Sequence, residues 1–200
     1  MSDVSAVLLA AGESTRMGHQ KALLPWRGST LLQYQAYSLL RGGASEVIAV
    51  LGYRAETLRP LVQDIPGVTT VLNLRYRTGK TSSIRAGLRS LSPREQMIVV
   101  LSVDQPRSPA LVQKVIEAHR QRGALITYPA YQGKGGHPTA FSASLLPELM
   151  RIRESRQGLR EVMERHRSET FRLEVADQEA VLDLNREEDY RRALAAASVK

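Results

Sequence analysis

The stretch Leu9-Ala10-Ala11-Gly12-Glu13-Ser14-Thr15-Arg16-Met17-Gly18-His19-Gln20-Lys21 decides the fold of this chain. It follows an apolar run at residues 4–8, and it combines two glycines and several small side chains with the cations Arg16 and Lys21. Small residues let a backbone approach a bulky anion, so that its N–H groups point at phosphates while nearby cations supply charge. The stretch therefore predicts a nucleoside-triphosphate loop at the end of the first strand of an α/β domain.

Outward from this loop, apolar runs alternate with helical patterns. Strands are predicted at residues 4–10, 46–51, 69–72 and 97–103, and helices at 30–40, 55–62, 82–91 and 109–122, the last capped by Ser108. Continuous apolar strands that alternate with helices favour a buried, mostly parallel sheet covered on both faces. The pattern predicts βαβ units throughout the first half of the chain.

The second half is less regular. Strands are predicted at 124–128, 139–142, 170–175 and 180–184, helices at 145–151, 157–167 and 186–197, and a glycine-rich loop at 131–138. No internal repeat, linker or change of composition divides the 200 residues. This predicts a single domain over residues 1–200 with a sizeable core.

Polar residues follow the predicted strands of the first half. The loop at 9–21, Gly52, Asn73 and Asp104 each come directly after an apolar strand. In parallel α/β sheets, ligands bind outside the carboxyl ends of the strands. We therefore expect the functional site at that edge of the sheet.

Composition narrows the range of partners. The net charge of +8 and the pI of about 10.1 fit an anionic partner, although an arginine-rich solvated surface explains them equally well. Aromatic residues are 5% of the chain, so no stacking platform favours nucleic acid. The chain has no cysteine, no basic leader and no apolar run near the ~20 residues that cross a bilayer. We expect a cytoplasmic protein without a membrane partner.

Two nucleotide-binding motifs are excluded by their spacing. The first loop lacks Gly-x-Gly-x-x-Gly, which argues against a dinucleotide fingerprint. Gly79-Lys80-Thr81 resembles the end of a P-loop, but Leu74 stands where that motif needs a glycine. Discarding it leaves the hydroxyls at residues 81–83 as polar contacts or as caps of the following helix.

Several motifs together resemble a known family. Leu-Ala-Ala-Gly-x-Ser-x-Arg-Met-Gly-x-x-Lys at residues 9–21 resembles the signature of nucleotidylyltransferases with a sugar-nucleotide pyrophosphorylase-like Rossmann fold. Asp104-Gln105-Pro106, Gly136-His137-Pro138 and the closing segment at 183–189 are similar to those of molybdenum cofactor cytidylyltransferases. The resemblance covers nearly the whole chain. It implies a three-layer Rossmann-like fold, with a mostly parallel central sheet and helices on both faces.

The resemblance also implies an activity. A member of this family transfers CMP from CTP to the phosphate of molybdenum cofactor (molybdopterin), releases pyrophosphate, and uses Mg²⁺. Its partners would be the nucleotide, the phosphorylated pterin and a molybdoenzyme that receives the product. Ala11 favours CTP, because the related GTP-using guanylyltransferases tend to carry Leu-Ala-Gly-Gly at this position.

The expected site residues fall into three groups. The catalytic residues are Arg16, Lys21 and Asp104, with Asp104 as the metal ligand. The nucleotide-binding residues are Leu9, Ala10, Ala11, Gly12, Ser14, Arg16, Lys21, Asn73, Ser82 and Ser83. The acceptor-binding residues are His137, Asp183 and Asn185, and the last two would share one face of a strand. Structural roles stay open: Asn73 as the end of a strand, Asp104 as a turn residue and His137 as a loop residue.

Two departures from the family pattern leave the acceptor open. Residues 156–159 read Arg-Gln-Gly-Leu where the family usually has Gly-Asp-Lys-Gly, and Arg186-Glu187 stand where Thr-Pro is expected. Three alternatives therefore remain. They are a sugar or polyol phosphate as acceptor, guanylyl transfer from GTP to molybdopterin, and a non-catalytic nucleotide- or cofactor-binding partner of a molybdoenzyme.

Overall fold

A computed structural model describes residues 3–92 and 96–198. The strands are β1 (Val4–Ala10), β2 (Pro25–Trp26), β3 (Ser29–Thr30), β4 (Glu46–Leu51), β5 (Val68–Leu72), β6 (Met97–Ser102), β7 (Ile126–Tyr131), β8 (Lys134–Gly135), β9 (Thr139–Ser142) and β10 (Thr170–Glu174). The α-helices are α1 (Leu31–Arg41), α2 (Ala55–Leu58), α3 (Lys80–Leu88), α4 (Pro109–Arg122), α5 (Leu146–Leu149), α6 (Leu159–Arg165) and α7 (Glu187–Ser198).

The central sheet has the strand order β10-β7-β9-β6-β1-β4-β5, with β8 added to β7. Strand β1 pairs in parallel with β4 and β6, β4 with β5, and β7 with β10. Strand β9 runs antiparallel to both of its neighbours, β6 and β7. The predicted mostly parallel sheet is confirmed, and β1 lies at its centre.

Strand β1 divides the hydrophobic core into two layers. Successive side chains of a strand point to opposite faces, so Ala6 and Leu8 join one core and Val7 and Leu9 the other. Helices α1, α2, α4 and α7 cover the first face, and α3, α5 and α6 cover the second. The helices on both faces that the sequence predicts are therefore present.

Local sequence signals account well for the first half. The predicted bounds of β1 and β4 agree with the structure, as do those of β9 in the second half. The Ser108 hydroxyl accepts a hydrogen bond from the Leu111 amide at 3.2 Å and caps α4. Thr30 and Gln33 form a capping box at the start of α1.

The predicted helix at residues 55–62 is shorter in the structure. It ends as an α-helix at Leu58 and continues as a 3₁₀-helix over Arg59–Leu61. Pro60 lacks a backbone N–H, which removes a donor from the helical ladder at this point. The helix predicted at 82–91 begins earlier, at Lys80, and Pro93, expected beyond its end, lies outside the described residues.

The predicted strand at residues 180–184 is wrong. A 3₁₀-helix covers Gln178–Val181, and the chain then runs outside the sheet. Its backbone groups bond to side chains and loops: the Leu182 carbonyl accepts from Arg107 Nη1 at 2.7 Å, and the Leu184 amide donates to the Asp104 carbonyl at 2.8 Å. Asp183 and Asn185 therefore do not share the face of a strand.

None of the helices in the described ranges is long and apolar enough to cross a membrane.

Candidate active site

The loop after β1 folds back on itself across the end of that strand. Ser14 and Gly18 have φ angles of 56° and 68°, and a 3₁₀-helix over Thr15–Met17 separates them. The Lys21 amide donates to Ser14 Oγ at 3.1 Å. This bond closes the loop and brings Lys21 next to the ends of the central strands. The side chain of Arg16 lies outside the described part of the chain, so the role predicted for it stays a prediction.

A second loop, between β6 and α4, presents Asp104. The wholly buried Gln35 of α1 anchors it, because its Nε2 donates to the carbonyls of Gln105 and, at 3.3 Å, Ser102. The Oε1 of Gln35 accepts from the Arg107 amide at 3.1 Å. A buried amide with both ends bonded holds a turn in one conformation. Asp104 is thus positioned by a helix that lies far from it in the sequence.

The two loops meet through an ion pair. Lys21 Nζ lies 2.8 Å from Asp104 Oδ2 and 3.4 Å from Asn185 Oδ1. The side chain of Lys21 is only 10% exposed, so its charge is held in place. Asp183 Oδ1, two positions before Asn185 in sequence, accepts from Gln105 Nε2 at 3.0 Å. The structure therefore brings together four of the predicted residues.

A cleft of about 360 Å³ opens beside this ion pair, and we call it the nucleotide cleft. The predicted site residues that line it are Leu9, Ala10, Ala11, Gly12, Ser14, Lys21, Ser83 and Asp104. A Cβ on Gly12 would meet no heavy atom within 4 Å, so the loop backbone there faces open space. Exposed backbone and a fixed cation are the two features that bind a triphosphate.

Asn73 and Ser82 do not line this cleft. Asn73 is 6% exposed, and its Nδ2 donates to Ser82 Oγ at 2.9 Å and to Ser83 Oγ at 3.0 Å. Its Oδ1 accepts from the Arg75 amide at 2.9 Å. Both amide hydrogens and the carbonyl are used within the protein, so Asn73 fastens the loop before α3. Of the polar residues Asn73, Ser82 and Ser83, which the sequence analysis assigns to nucleotide binding, only Ser83 lines the cleft.

A larger cleft of about 680 Å³ adjoins the first, and we call it the acceptor cleft. Its charged lining consists of Lys80, Lys134, Arg160 and Arg167 against Glu154 and Glu164. The excess of cations suits an anionic ligand. His137 lines this cleft, whereas Asp183 and Asn185, which the sequence analysis also assigns to the acceptor, do not.

His137 is held by its backbone and is uncharged at neutral pH. Its amide donates to the Ala180 carbonyl at 2.9 Å, and its carbonyl accepts from Arg107 Nε at 2.8 Å. Burial, together with the positive charges of Lys80 and Arg107, lowers the pKa of His137 to about 3. A neutral imidazole offers a hydrogen bond to a ligand but no charge.

Arg107 is a residue that the sequence analysis missed. It is fully buried, and its Nη1 donates to the carbonyls of Pro106 at 2.9 Å and Leu182 at 2.7 Å. Within the described residues its Nη2 has no hydrogen bond, and it lies 3.9 Å from Asp183 Oδ1. Burial lowers the pKa of Arg107 to about 10, so it stays protonated. Together with the bond to His137, it joins three loops of the site.

Glu154 is a second missed residue. Helix α3 begins after Gly79, which has no side chain to cap it, and Glu154 Oε2 instead accepts from the Thr81 amide at 2.9 Å. Gly79 has a φ of 115°, and a Cβ there would lie 2.5 Å from the Glu154 carboxylate. Glycine is thus required for this close approach. Glu154 lies two positions before residues 156–159, which depart from the family pattern, and it holds this part of the chain against α3.

Lys80 is the third, and it lines both clefts. Lys80 is exposed at the junction of the clefts, but the protein atoms around its ammonium partly desolvate it and lower its pKa, while the carboxylates of Asp104, Asp183 and Glu154 act in the opposite direction. A signal in the sequence existed, since Gly79-Lys80-Thr81 attracts attention. The missing glycine at position 74 excludes a P-loop, but it does not exclude a separate role for Lys80.

The oxygen atoms near Lys21 fit a divalent cation. Asp104, Asp183 and Asn185 supply carboxylate and amide oxygens, and the Asp104 side chain is 27% exposed. No group of three or more His, Cys, Asp or Glu residues suited to a metal occurs within residues 3–92 and 96–198. A protein site this poor in carboxylates suits Mg²⁺, which keeps waters and takes phosphate oxygens from its substrate.

Comparison with known proteins agrees with this geometry. The family model described as the MobA-like NTP transferase domain matches residues 6–170 of this chain. The chain is 28% identical to molybdenum cofactor cytidylyltransferase of Escherichia coli over 95% of both chains. It is 36% identical to nicotine blue oxidoreductase of Paenarthrobacter nicotinovorans over 72% of this chain and 73% of that protein.

Among solved structures, Rv0371c of Mycobacterium tuberculosis is similar with a TM-score of 0.83 and 30% identity, over 97% of this chain and 98% of that one. The same protein has a solved complex with manganese, which is 29% identical with a TM-score of 0.79 over 98% and 100% of the two chains. The family match spans most of the chain and includes both loops that form the nucleotide cleft. The protein therefore belongs to the family of MobA-like NTP transferase domains.

Proposed function

We propose that this protein transfers CMP from CTP to the phosphate of molybdenum cofactor and releases pyrophosphate. The observation that carries the proposal is the Lys21–Asp104 pair, which lines a triphosphate-sized cleft directly beside a larger, basic cleft. The similarity to the Escherichia coli cytidylyltransferase over the whole chain supports the same acceptor. A molybdoenzyme as recipient of the product and a cytoplasmic location accompany this proposal.

The reaction joins two anions, so the protein has mainly to align them and offset their charge. An oxygen of the acceptor phosphate forms a bond to the α-phosphorus of CTP. The bond from that phosphorus to the β-phosphate bridging oxygen breaks, and its electron pair leaves with pyrophosphate. No general base is needed, because the attacking phosphate is already ionised near neutral pH.

Three parts of the nucleotide cleft serve this step. Backbone N–H groups at residues 10–12 bind phosphate oxygens, and Lys21 offsets the charge on the departing pyrophosphate. Asp104 would hold Mg²⁺, which would neutralise further phosphate charge, and Asp183 and Asn185 lie close enough in the fold to assist. Lys21 also orients the Asp104 carboxylate toward the cleft.

The preference for CTP rests on Ala11. Its side chain is 4% exposed and packs against Gly52, where an added Cβ would lie 2.9 Å from the Ala11 Cβ. Glycine at position 11 would enlarge this end of the cleft. We expect Ala11→Gly to raise the ratio of GTP to CTP turnover, and an unchanged ratio would contradict the assignment of the base.

The main test is a panel of nucleotides and acceptors. CTP and GTP are each incubated with molybdopterin, a sugar phosphate or a polyol phosphate, with Mg²⁺ or Mn²⁺, and pyrophosphate release is measured. We expect release with CTP and molybdopterin. If pyrophosphate is released only with another acceptor, that compound replaces molybdopterin in our proposal. If nucleotide or acceptor binds but no combination releases pyrophosphate, a non-catalytic binding partner is favoured.

One further arm addresses the oxidoreductase among the relatives. An oxidoreductase needs an electron donor, so oxidation of NADH or NADPH with a dye acceptor is measured in parallel. The chain lacks Gly-x-Gly-x-x-Gly and has the Lys21–Asp104 pair, which favours phosphate chemistry. Turnover of the reduced nucleotide without pyrophosphate release would overturn our proposal.

The role of the metal is tested with Asp104→Asn, which keeps the shape of the side chain. We expect turnover to fall by ~10²–10³-fold while CTP still binds, because a negative ligand is lost. Titration with Mg²⁺ and Mn²⁺ should show a weaker apparent affinity for both. Full activity at ordinary metal concentration would remove Asp104 from the proposed metal site.

A further inference from the structure

Lys21 and Lys80 both line the nucleotide cleft, but their charges are used differently. The ammonium of Lys21 is occupied by Asp104 and Asn185. No hydrogen bond or ion pair engages the Lys80 ammonium among the residues that the structure describes. Lys80 is also the one described residue that lines both clefts. An unengaged cation thus stands at the junction of the two.

Lys80 does not serve the helix on which it lies. It is the first residue of α3, where a positive charge opposes the partial positive charge of the helix N-terminus. The first turn of α3 contains no acidic residue that would compensate, and the capping carboxylate comes from Glu154, in another segment. A residue that breaks a local rule in this way points to a role in function.

The charges around Lys80 keep it in the cleft. Asp104 attracts it from the nucleotide cleft and Glu154 from the acceptor cleft, and Asp183, which lines neither cleft, adds a third attraction. Lys21 and His137 are the other groups within electrostatic reach. A lysine has a flexible four-carbon stem and three donors, so one ammonium can bond to two phosphate groups at once.

We propose that Lys80 is a second substrate-contacting cation, which binds the acceptor phosphate and the α-phosphate of the nucleotide together at the junction of the clefts. Its part in catalysis depends on the proposed transfer reaction, but its binding of the nucleotide phosphates does not. In the transfer, Lys80 would offset the repulsion between the attacking oxygen and the α-phosphate. The new bond is from that oxygen to the α-phosphorus, and pyrophosphate leaves with the electron pair.

The experiment compares Lys80→Met, Lys80→Arg and Lys114→Met. Lys114 lies exposed on α4, away from both clefts, and is the matched control for loss of a lysine. The affinity for CTP without acceptor is measured by calorimetry. The kcat and the KM for each substrate are measured by pyrophosphate release, and circular dichroism verifies the fold of each variant.

For Lys80→Met we expect ~10-fold weaker binding of CTP and a loss of ~10²-fold in kcat/KM for the acceptor. Lys80→Arg should recover much of both, because it keeps the charge, and Lys114→Met should resemble the wild type. If Lys80 had only a structural role, arginine would not restore these values. Its loss would also not reduce the affinity for CTP and the kcat/KM for the acceptor together.

The outcomes separate this inference from the proposed function. If the wild type turns over no acceptor, the transfer reaction is wrong, and calorimetry with CTP still tests Lys80. If Lys80→Met binds CTP as tightly as Lys114→Met does, Lys80 does not contact the nucleotide, and the inference is overturned. A defect in CTP binding alone, with an unchanged kcat/KM for the acceptor, would overturn the bridging role.

Discussion

The nucleotide cleft and the acceptor cleft are built in different ways. Half of the residues that line the nucleotide cleft belong to the end of β1 and the loop that leaves it, and β1 is buried along its whole length at the centre of the sheet. The acceptor cleft is assembled from α3, the 134–137 loop and the segment 154–170, which lie far apart in sequence. Its edge strand β10 is half-exposed. The nucleotide cleft therefore lies against the buried centre of the sheet, whereas the acceptor cleft reaches a half-exposed edge strand.

The same division separates the regions that agree with the family pattern from those that depart from it. The loop at 9–21 matches a long motif, whereas residues 156–159 and 186–187 do not. The acceptor side depends instead on particular side chains, namely Arg107 and Glu154. We infer that nucleotide chemistry can be kept while the acceptor side changes. Four predictions can break or sharpen this comparison.

The largest effect is expected at Lys21. Lys21→Met removes the cation that binds Asp104 and lines the nucleotide cleft, so we expect kcat/KM to fall by ~10³-fold or more with either substrate. Pyrophosphate release measures the loss, and Lys114→Met is the control. If Lys21→Met lost less kcat/KM than Lys80→Met does, Lys21 would not be the main catalytic cation of the nucleotide cleft.

Arg107 is expected to affect stability more than any charged residue on the surface. Arg107→Met leaves the carbonyls of Pro106, Leu182 and His137 without their donor, which should lower the free energy of unfolding by ~3 kcal/mol. Urea unfolding measures this change. Arg120→Met is the control, because it breaks only the exposed pair with Asp3 and should cost less than ~1 kcal/mol.

If Arg107→Met and Arg120→Met unfold at the same urea concentration, the three loops are held together by other contacts. The acceptor cleft would then be less dependent on one buried side chain than we infer.

Glu154 should distinguish the two clefts kinetically. Glu154→Gln keeps an acceptor for the Thr81 amide but removes the charge at the start of α3, so we expect a loss of ~0.5–1 kcal/mol in stability. The KM for the acceptor should rise several-fold, while CTP binding changes little. Steady-state kinetics and calorimetry measure the two effects, with Glu117→Gln on the exposed face of α4 as the control. An equal effect on both substrates would contradict separate clefts.

The smallest effect is a pH dependence on the acceptor side. His166 bonds to Glu169 and Glu148, and these carboxylates raise the pKa of His166. Because the folded protein favours protonated His166, this residue stabilises the fold fully at pH values below 6.5, its pKa in the unfolded chain. The contribution is lost as the pH rises through the raised pKa of the folded protein. We expect the wild type to exceed His166→Gln in stability by ~0.5 kcal/mol at low pH and by less above neutrality.

Urea unfolding of both proteins across this pH range makes the measurement. A difference that grows with rising pH would have the wrong sign for an ion pair of protonated His166.

Sequence patterns predicted the first half of the fold closely and the second half less well. The long apolar runs of β1, β4 and β6 and the Ser108 cap of α4 are local signals that the structure confirms, whereas the capping box of α1 is not among the predictions. The segment at 180–184 has equally apolar residues, but its backbone bonds to Arg107 and to the loop of Asp104 rather than to a strand. A periodic pattern does not reveal which partner the backbone will find.

Asn73 shows the same limit within the site. Its position after a strand correctly placed it near the ligand edge, but its amide is used to fasten Ser82 and Ser83. Lys80 shows the converse, since it belongs to no motif with the correct spacing and yet lines both clefts. The spacing of a motif tests for that motif alone and does not predict contacts between distant segments.

The sequence by itself determined the class of fold, the edge of the sheet at which the nucleotide cleft opens, and the loop that presents Lys21. These follow from local properties: apolar periodicity, small residues after a strand, and the rule that parallel strands end at one edge. Only the tertiary structure decided that Lys21 pairs with Asp104, that Gln35 and Arg107 fix the surrounding loops, and that Lys80 joins the two clefts. Each of these is a contact between segments far apart in the chain, set by how the layers pack rather than by neighbouring residues.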